Sequence, residues 1–236
     1  MDFPPLTAGR LLRRYKRFLA DIELPDEGGE VTVHCPNTGA MTGCQAFNAP
    51  VWLSHHDSPR RKLAWTWELI STETGLVCIH SVLANRVVEE GLRRGLFPML
   101  FSQSEALQRE ALLCEGARAD FFIPSAEGIY IEVKSATLHY GGGEGAFPDT
   151  VSHRATKHLI ELRSAMQRGH RAALIFCVLH EGITSVTPAA DIDPTYSAQL
   201  RQASAEGLEV YTLFNDITIR GIYPRSVRTR EILSPC

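Results

Sequence analysis

Near residue 81 the sequence changes rhythm. Upstream, five short β-prone runs (Leu19 to Leu24, Val31 to Cys35, Val51 to His55, Leu63 to Ile70 and Leu76 to Val82) are separated by turn-forming residues. The turns are Asp26-Glu-Gly-Gly, Asn37-Thr-Gly, Asp57-Ser-Pro and Thr74-Gly. Downstream, Ala84, Val87, Val88, Gly91 and Leu92 recur at helical spacing and predict a helix ending near Gly95. Strands are expected at 111–114, 119–123 and 129–138, and His139 to Asp149 reads as a loop. A helix from about Ser152 buries Ala155, Leu159, Leu162 and Met166. Arg171 to Leu179 is a continuous apolar run, the pattern of a strand covered on both faces. A helix from Tyr196 to Ala205 and a strand from Leu208 to Phe214 follow.

Five short strands in succession fit a small Greek-key barrel of the OB type. The rest fits a mixed sheet flanked by helices. The expected fold class is therefore α/β (α+β) in two domains, an OB-like β-barrel over residues 1–81 and a mixed-sheet domain over 82–236.

Composition narrows the function. The chain has 236 residues, with 24 Lys and Arg against 27 Asp and Glu, a net charge of −3. Such a balance excludes gripping nucleic acid through the overall field, which calls for a basic domain, but it permits a local basic patch. No apolar run approaches the roughly 18 residues of a membrane-spanning helix, and the N-terminus lacks the pattern of a secretory signal. Cys35, Cys44, Cys78, Cys114, Cys177 and Cys236 show no paired spacing, so they read as reduced thiols and the cytoplasm is the expected compartment. His34-Cys35 with Cys44 is the nearest approach to a zinc site and lacks the close pair one requires.

The sharpest chemical pattern is Asp120 followed by Glu132-Val133-Lys134. Alternate side chains of a strand share a face, so Glu132 and Lys134 point together while Ile131 and Val133 point into a core. Asp120 begins a neighbouring apolar strand. Two carboxylates at adjoining strand positions hold hard divalent cations such as Mg²⁺ or Mn²⁺ through oxygen. A lysine beside them orients a water or stabilises negative charge on a phosphate. The set fits metal-assisted phosphodiester hydrolysis, although an acid-x-Lys tripeptide is more often an exposed cross-strand ion pair. The element order around it, α-β-β-β-α-β, resembles the core of the PD-(D/E)xK nuclease superfamily.

Separated blocks make the resemblance more specific. Arg14-Tyr-Lys-Arg-Phe-Leu-Ala-Asp21, His34-Cys-Pro-Asn-Thr-Gly-Ala-Met-Thr-Gly43, Thr66-Trp-Glu-Leu69 and Ala84-Asn-Arg86 are joined by Asp120-Phe, Ile131-Glu-Val-Lys-Ser135, Phe147-Pro-Asp149 and Lys157-His-Leu. In this order the chain resembles the sugar fermentation stimulation protein A family over essentially its whole length. The resemblance implies an OB-like domain, a nuclease-like domain, DNA binding and, through the fold, nuclease action on DNA or RNA. It implies Asp120 and Glu132 as metal ligands and Lys134 as the catalytic lysine. The superfamily often adds an acid from the first helix. Glu89 and Glu90 each lie about 130° from the centre of the apolar stripe, so periodicity does not choose between them, and the family block favours Glu90. No residue explains the sugar-metabolism phenotype in the family's name, and a non-catalytic DNA-binding regulator on the same scaffold stays open.

Candidate nucleic-acid contacts are Arg13, Arg14, Lys16 and Arg17, near Arg10, and the run Arg60-Arg61-Lys62. Tyr15, Phe18, Trp52, Trp65 and Trp67 supply stacking surfaces or core. Lys157 is either a phosphate contact or half of an i, i+4 pair with Glu161. Asn37-Thr-Gly39 is a phosphate nest or a plain tight turn, and Asp149 borders the site or lies beyond it. Gly141-x-Gly143-x-x-Ala146 is no dinucleotide fingerprint, because Pro148 and Asp149 separate it from the helix.

Overall fold

The computed structural model describes residues 1–25, 28–59, 61–102 and 106–229. Its first part is a barrel of β1 (Leu6–Tyr15), β2 (Leu19–Leu24), β3 (Gly29–His34), β4 (Pro50–His55) and β5 (Trp65–Thr72). The strands run in the order β3-β2-β1-β4-β5, and β3 closes onto β5 through His34 and Thr66. A sixth strand, β6 (Gly75–Cys78), forms a hairpin with β5 outside this ring.

The five-strand expectation thus had the right number and the wrong set, since it began at Leu19 and counted β6. The first barrel strand is the arginine-rich segment. Its polar face hid it: Gly9 and Leu11 point inward while Arg10 and Arg13 point out, and a bulge between Leu11 and Arg13 breaks the alternation. Gly9 is needed for the close approach, because a Cβ there would sit 2.5 Å from Ile22 Cγ2 and 2.8 Å from the Glu23 carbonyl oxygen. Leu11, Ile22, Val33, Leu53 and fully buried Trp67 fill the barrel.

Downstream come α1 (Leu83–Arg93), β7 (Gln108–Cys114), β8 (Ala117–Ile123) and β9 (Ile129–Ala136), then β10 (Leu138–Gly141) and β11 (Glu144–Phe147). The chain continues through α2 (His153–Gln167), β12 (Arg171–Val178), β13 (Ser185–Pro188), α3 (Pro194–Ala205), β14 (Glu209–Thr218) and β15 (Gly221–Thr229). Six strands form one mixed sheet, ordered β15-β14-β12-β9-β8-β7, with β12 parallel to both β9 and β14. Apolar side chains of α1 pack with Ile131, Val133, Ile175 and Leu213 on one face. Those of α2 and α3 pack with Leu174, Phe176 and Val178 on the other. Burial on both faces is why β12 reads as an unbroken apolar run.

Two expectations change here. Residues 139–149 are mostly a β-hairpin, turned by Gly141, Gly142 and Gly143 at positive φ, whose second strand pairs with β13. The edge strand β15 was not anticipated; its exposed face, with Arg225, Ser226 and Arg228, gives no apolar alternation. The two parts of the chain share a core, since Leu69 and Cys78 belong to the α1 cluster and Trp52 packs against it.

Candidate active site

The site forms where two strands part. The β8–β9 ladder ends at Phe121 and Ile131, one residue short of Asp120 and Glu132. The Val133 N–H, left without a strand partner on that side, donates instead to Asp120 Oδ2 at 2.7 Å. Asn85, in the first turn of α1, donates from Nδ2 to Asp120 Oδ1 at 2.7 Å. The sheet's own pairing defect therefore orients the first carboxylate.

Strand alternation sends Glu132 toward α2. Lys134 Nζ donates to Glu132 Oε1 at 2.5 Å, and His158 Nδ1 meets the same oxygen. Helix α2 delivers His158 because its start is fixed: the Ser152 hydroxyl accepts from Ala155 N, and the Ser152 N–H donates to Asp193. Asp120, Glu132 and Lys134 are thus brought together as expected. His158 and Asn85 complete the cluster; both lie inside the family-like blocks, but nothing in their spacing marked them.

Environment separates the two acids. Burial, and next the neighbouring Glu132 charge, raise the Asp120 carboxyl above its ordinary proton affinity despite its two donors. Glu132 is also pushed upward by burial, but the His158 hydrogen bond and the Lys134 charge outweigh that and hold it below the ordinary carboxylate range. Asp120 therefore lacks a cation that Glu132 already has.

Two cavities flank the cluster. One, of about 460 Å³, lies between the barrel (Arg17, Asn37, Gly39) and the second part of the chain (Asn85, Lys134, Ser135). The other, of about 590 Å³, is lined by Asp120, Arg118, Lys157, His158 and Glu161. Arg154 lines both, so the two cavities adjoin at that side chain as one groove with Asp120 in its wall and basic side chains along it. Lys157 borders this groove while lying 3.5 Å from Glu161, so both readings of it describe one position.

The helix acid is a correction. Glu90 pairs with the Met1 amino group at 2.5 Å and with Arg94 at 3.4 Å. Glu89 is held by Arg93 and Arg109. The position on α1 that reaches Asp120 is Asn85, one turn before Glu89 on the same helix face. Among the described residues, no three His, Cys, Asp or Glu side chains form a metal-binding group; the candidate ligands are the two carboxylates.

The basic cluster also divides. Arg13 donates to Asp21 at 2.7 Å, and Arg14 donates to the carbonyls of Asn37 and Gly39, each at 2.9 Å. Arg14 thus holds the barrel's own turn, whereas Arg13 pairs through Nε and keeps most of its side chain exposed. Lys16 and Arg17 form the β1–β2 turn at positive φ, and Arg17 alone of the four reaches the groove. Arg60 lies outside the described residues. Arg61 and Lys62 are exposed elsewhere on the barrel. Trp67 is core, Trp52 and Trp65 are half-buried, and Phe18 is exposed.

The turn Asn37-Thr-Gly39 is a tight turn closed on itself, the Gly39 N–H donating to Asn37 Oδ1 at 2.8 Å, and a carboxylate of the second part packs against it. Asp149 Oδ2 accepts from Met41 N at 2.9 Å, and a Cβ on Gly39 would lie 2.4 Å from that same oxygen. Asp149 therefore clasps the barrel to the second part of the chain. Gly39→Ala is expected to expel this carboxylate and lower stability by about 1–3 kcal/mol, the usual cost of a stranded polar group. Urea denaturation measures it; unchanged stability would show that the clasp contributes nothing.

A closed five-stranded OB-like barrel joined to a mixed sheet bearing an acid–acid–Lys cluster defines a two-domain protein with a polar groove between its parts. The chain belongs to the sugar fermentation stimulation protein family. The N-terminal OB domain model of that family matches residues 12–79, and its sugar fermentation stimulation protein RE domain model matches residues 82–221. A sugar fermentation stimulation protein homolog of Saccharophagus degradans is 47% identical over 230 residues, covering 97% of each chain. A homolog of Shewanella baltica is 49% identical over 215 residues, covering 89% of this chain and 91% of its own. The solved structure of Pyrococcus furiosus SfsA in complex with Ca²⁺ superposes with a TM-score of 0.84 at 22% identity, over 98% of this chain and 95% of that one. No helix among the described residues is long and apolar enough to cross a membrane.

Proposed function

We propose that the protein is a nuclease that hydrolyses phosphodiester bonds of DNA or RNA with Mg²⁺ or Mn²⁺ held by Asp120 and Glu132. The observation that carries this reading is the convergence of two carboxylates and Lys134 at a gap in the sheet, beside a groove lined with Arg17, Arg118, Arg154 and Lys157. The donor set fits a hard cation: both ligands offer oxygen, and Asp120 is raised in part by a neighbouring negative charge that a cation would offset. The Pyrococcus furiosus structure of the same fold is a complex with Ca²⁺, itself a hard cation.

When bound, the cation supplies charge neutralisation at the phosphate and a more acidic water. The chain's own groups do the rest. Asn85 and the Val133 N–H fix the direction of Asp120. Lys134, on the same strand face as Glu132, stabilises negative charge on the attacked phosphate or orients the attacking water. His158 holds the Glu132 carboxylate, and Arg154 and Lys157 guide the phosphate backbone along the groove.

The test is incubation of the purified protein with single- and double-stranded DNA and RNA, with Mg²⁺, Mn²⁺ or EDTA. Cleavage that needs metal and stops in EDTA is expected. Absence of cleavage on all substrates would remove the enzyme reading. One observation favours the alternative, a DNA-binding regulator: Glu132 is already paired with Lys134 and hydrogen-bonded to His158. Binding that survives EDTA, falls steeply with salt and is never followed by cleavage would establish it.

A further inference from the structure

The segment joining the two parts has two sides. Ser81, Ala84 and Asn85 line the catalytic groove, whereas His80, Leu83 and Arg86 line a separate cavity of about 210 Å³. The barrel supplies its other wall, including His34, His56, Arg61 and Glu68.

Two acids line this cavity, Asp2 and Glu68, and both are hydrogen-bonded; Asp2 accepts from the Tyr223 hydroxyl at 2.8 Å. Glu68 is buried; Ser54 Oγ donates to its Oε1 at 2.6 Å, and His80 Nδ1 lies 2.6 Å from its Oε2. His56 Nε2 lies 3.0 Å from the same serine hydroxyl. What remains unmatched is cationic or donating. Among the described residues, neither the His34 ring nor the Arg86 guanidinium has a hydrogen bond or ion pair. Arg61 makes one bond, to Thr66 Oγ1 at 3.0 Å, and meets no acid. Burial, and after it the charge of Arg61, lower the proton affinity of both His34 and His56, against a smaller opposing contribution from Glu68, so the arginine's field reaches the cavity.

Unpaired guanidinium and imidazole donors around a small hollow suit a tetrahedral oxyanion, which accepts several N–H bonds at once. The volume is below the roughly 300 Å³ at which sites for drug-sized ligands begin, so it suits a single phosphoryl group. We propose that this cavity binds a phosphoryl group through His34, Arg61 and Arg86, apart from the catalytic groove. The group is either free phosphate or the terminal phosphate of a nucleic-acid strand.

The test is calorimetric titration of the full chain in EDTA with inorganic phosphate, at ionic strength held constant with chloride. Arg61→Gln and Arg86→Gln are the variants, since both side chains are exposed and their removal leaves the core intact. Saturable binding weakened roughly tenfold or more by each variant is expected, the usual effect of losing a charge-assisted bond. No saturable binding, or binding unchanged in both folded variants, overturns the proposal. Oligonucleotides with and without a 5′-phosphate distinguish the sources. Tighter binding of the phosphorylated form, lost in Arg86→Gln, assigns the site to strand ends; equal binding of both forms assigns it to free phosphate. The readout involves no cleavage, so its failure and the failure of the nuclease reading are separate results.

Discussion

Asp120→Asn is expected to abolish metal-dependent cleavage and, in the same protein freed of metal, to raise stability at neutral pH. The loss of cleavage should be on the order of 10³-fold or more, about 4 kcal/mol of transition-state stabilisation. The gain in stability follows from what the carboxylate experiences without a cation. Both of its hydrogen bonds can survive the substitution: the new Oδ1 accepts from Val133 N, and the Asn85 amide can turn to offer oxygen to the new NH₂. What disappears is a charge disfavoured by burial and by Glu132. The folded state binds the Asp120 proton more tightly than the unfolded chain does. The penalty is therefore absent below the ordinary carboxylate range, grows as pH rises through it, and is complete above the raised value. Variant and wild type should melt alike in acid and diverge toward neutrality, in EDTA. A variant that still cleaves would remove Asp120 from the site; one that melts lower at neutral pH would remove the argument from unmatched charge.

What the sequence disclosed about this cluster, and what it concealed, follows from period. Glu132 and Lys134 were legible because strand alternation has a period of two and leaves no choice of face. The barrel interior was legible for the same reason from Leu19 onward. β1 was not, because its outward positions are arginines and its bulge shifts the phase. Arg13 and Arg14 looked like ligand contacts because a sequence shows charge and not partners; their partners are Asp21 and the carbonyls of the 37–39 turn. The helix acid failed differently. Asking α1 for a carboxylate drew attention to Glu89 and Glu90, whereas the first-turn residue at the strand gap is an amide, Asn85. That gap depends on where the β8–β9 ladder stops, a tertiary fact with no local signature. His158 reaches Glu132 across 26 residues and two secondary-structure elements, which no spacing rule encodes.

Glu132→Gln should act on stability in the opposite sense to Asp120→Asn, although both should eliminate cleavage. Lys134 Nζ and His158 Nδ1 converge on one Glu132 oxygen, with all three side chains largely shielded, at 13%, 13% and 4% relative exposure. Neutralising the acid leaves a buried ammonium without its counter-charge. Breaking a buried pair from one side costs about 3–5 kcal/mol; a loss near the lower end, about 3 kcal/mol, is expected because Lys134 keeps 13% of its side chain exposed to water. The pH dependence reverses accordingly. Glu132 lies below the ordinary carboxylate range through its His158 hydrogen bond and the Lys134 charge, against the upward push of burial. Its contribution is present above that range and is lost as pH falls through it, so wild type and variant should converge in acid. A second substitution separates lost charge from lost shape. If the stranded cation is the cause, Glu132→Gln with Lys134→Met should be less destabilised than the sum of the two single variants, by an interaction within the range of about 0.5–3 kcal/mol typical of contacting residues. Strict additivity in urea denaturation would show that Lys134 is not held by Glu132. Opposite shifts at two carboxylates of one site would mean that the chain's own cations satisfy only one acid, which leaves Asp120 as the position where an added cation gains most.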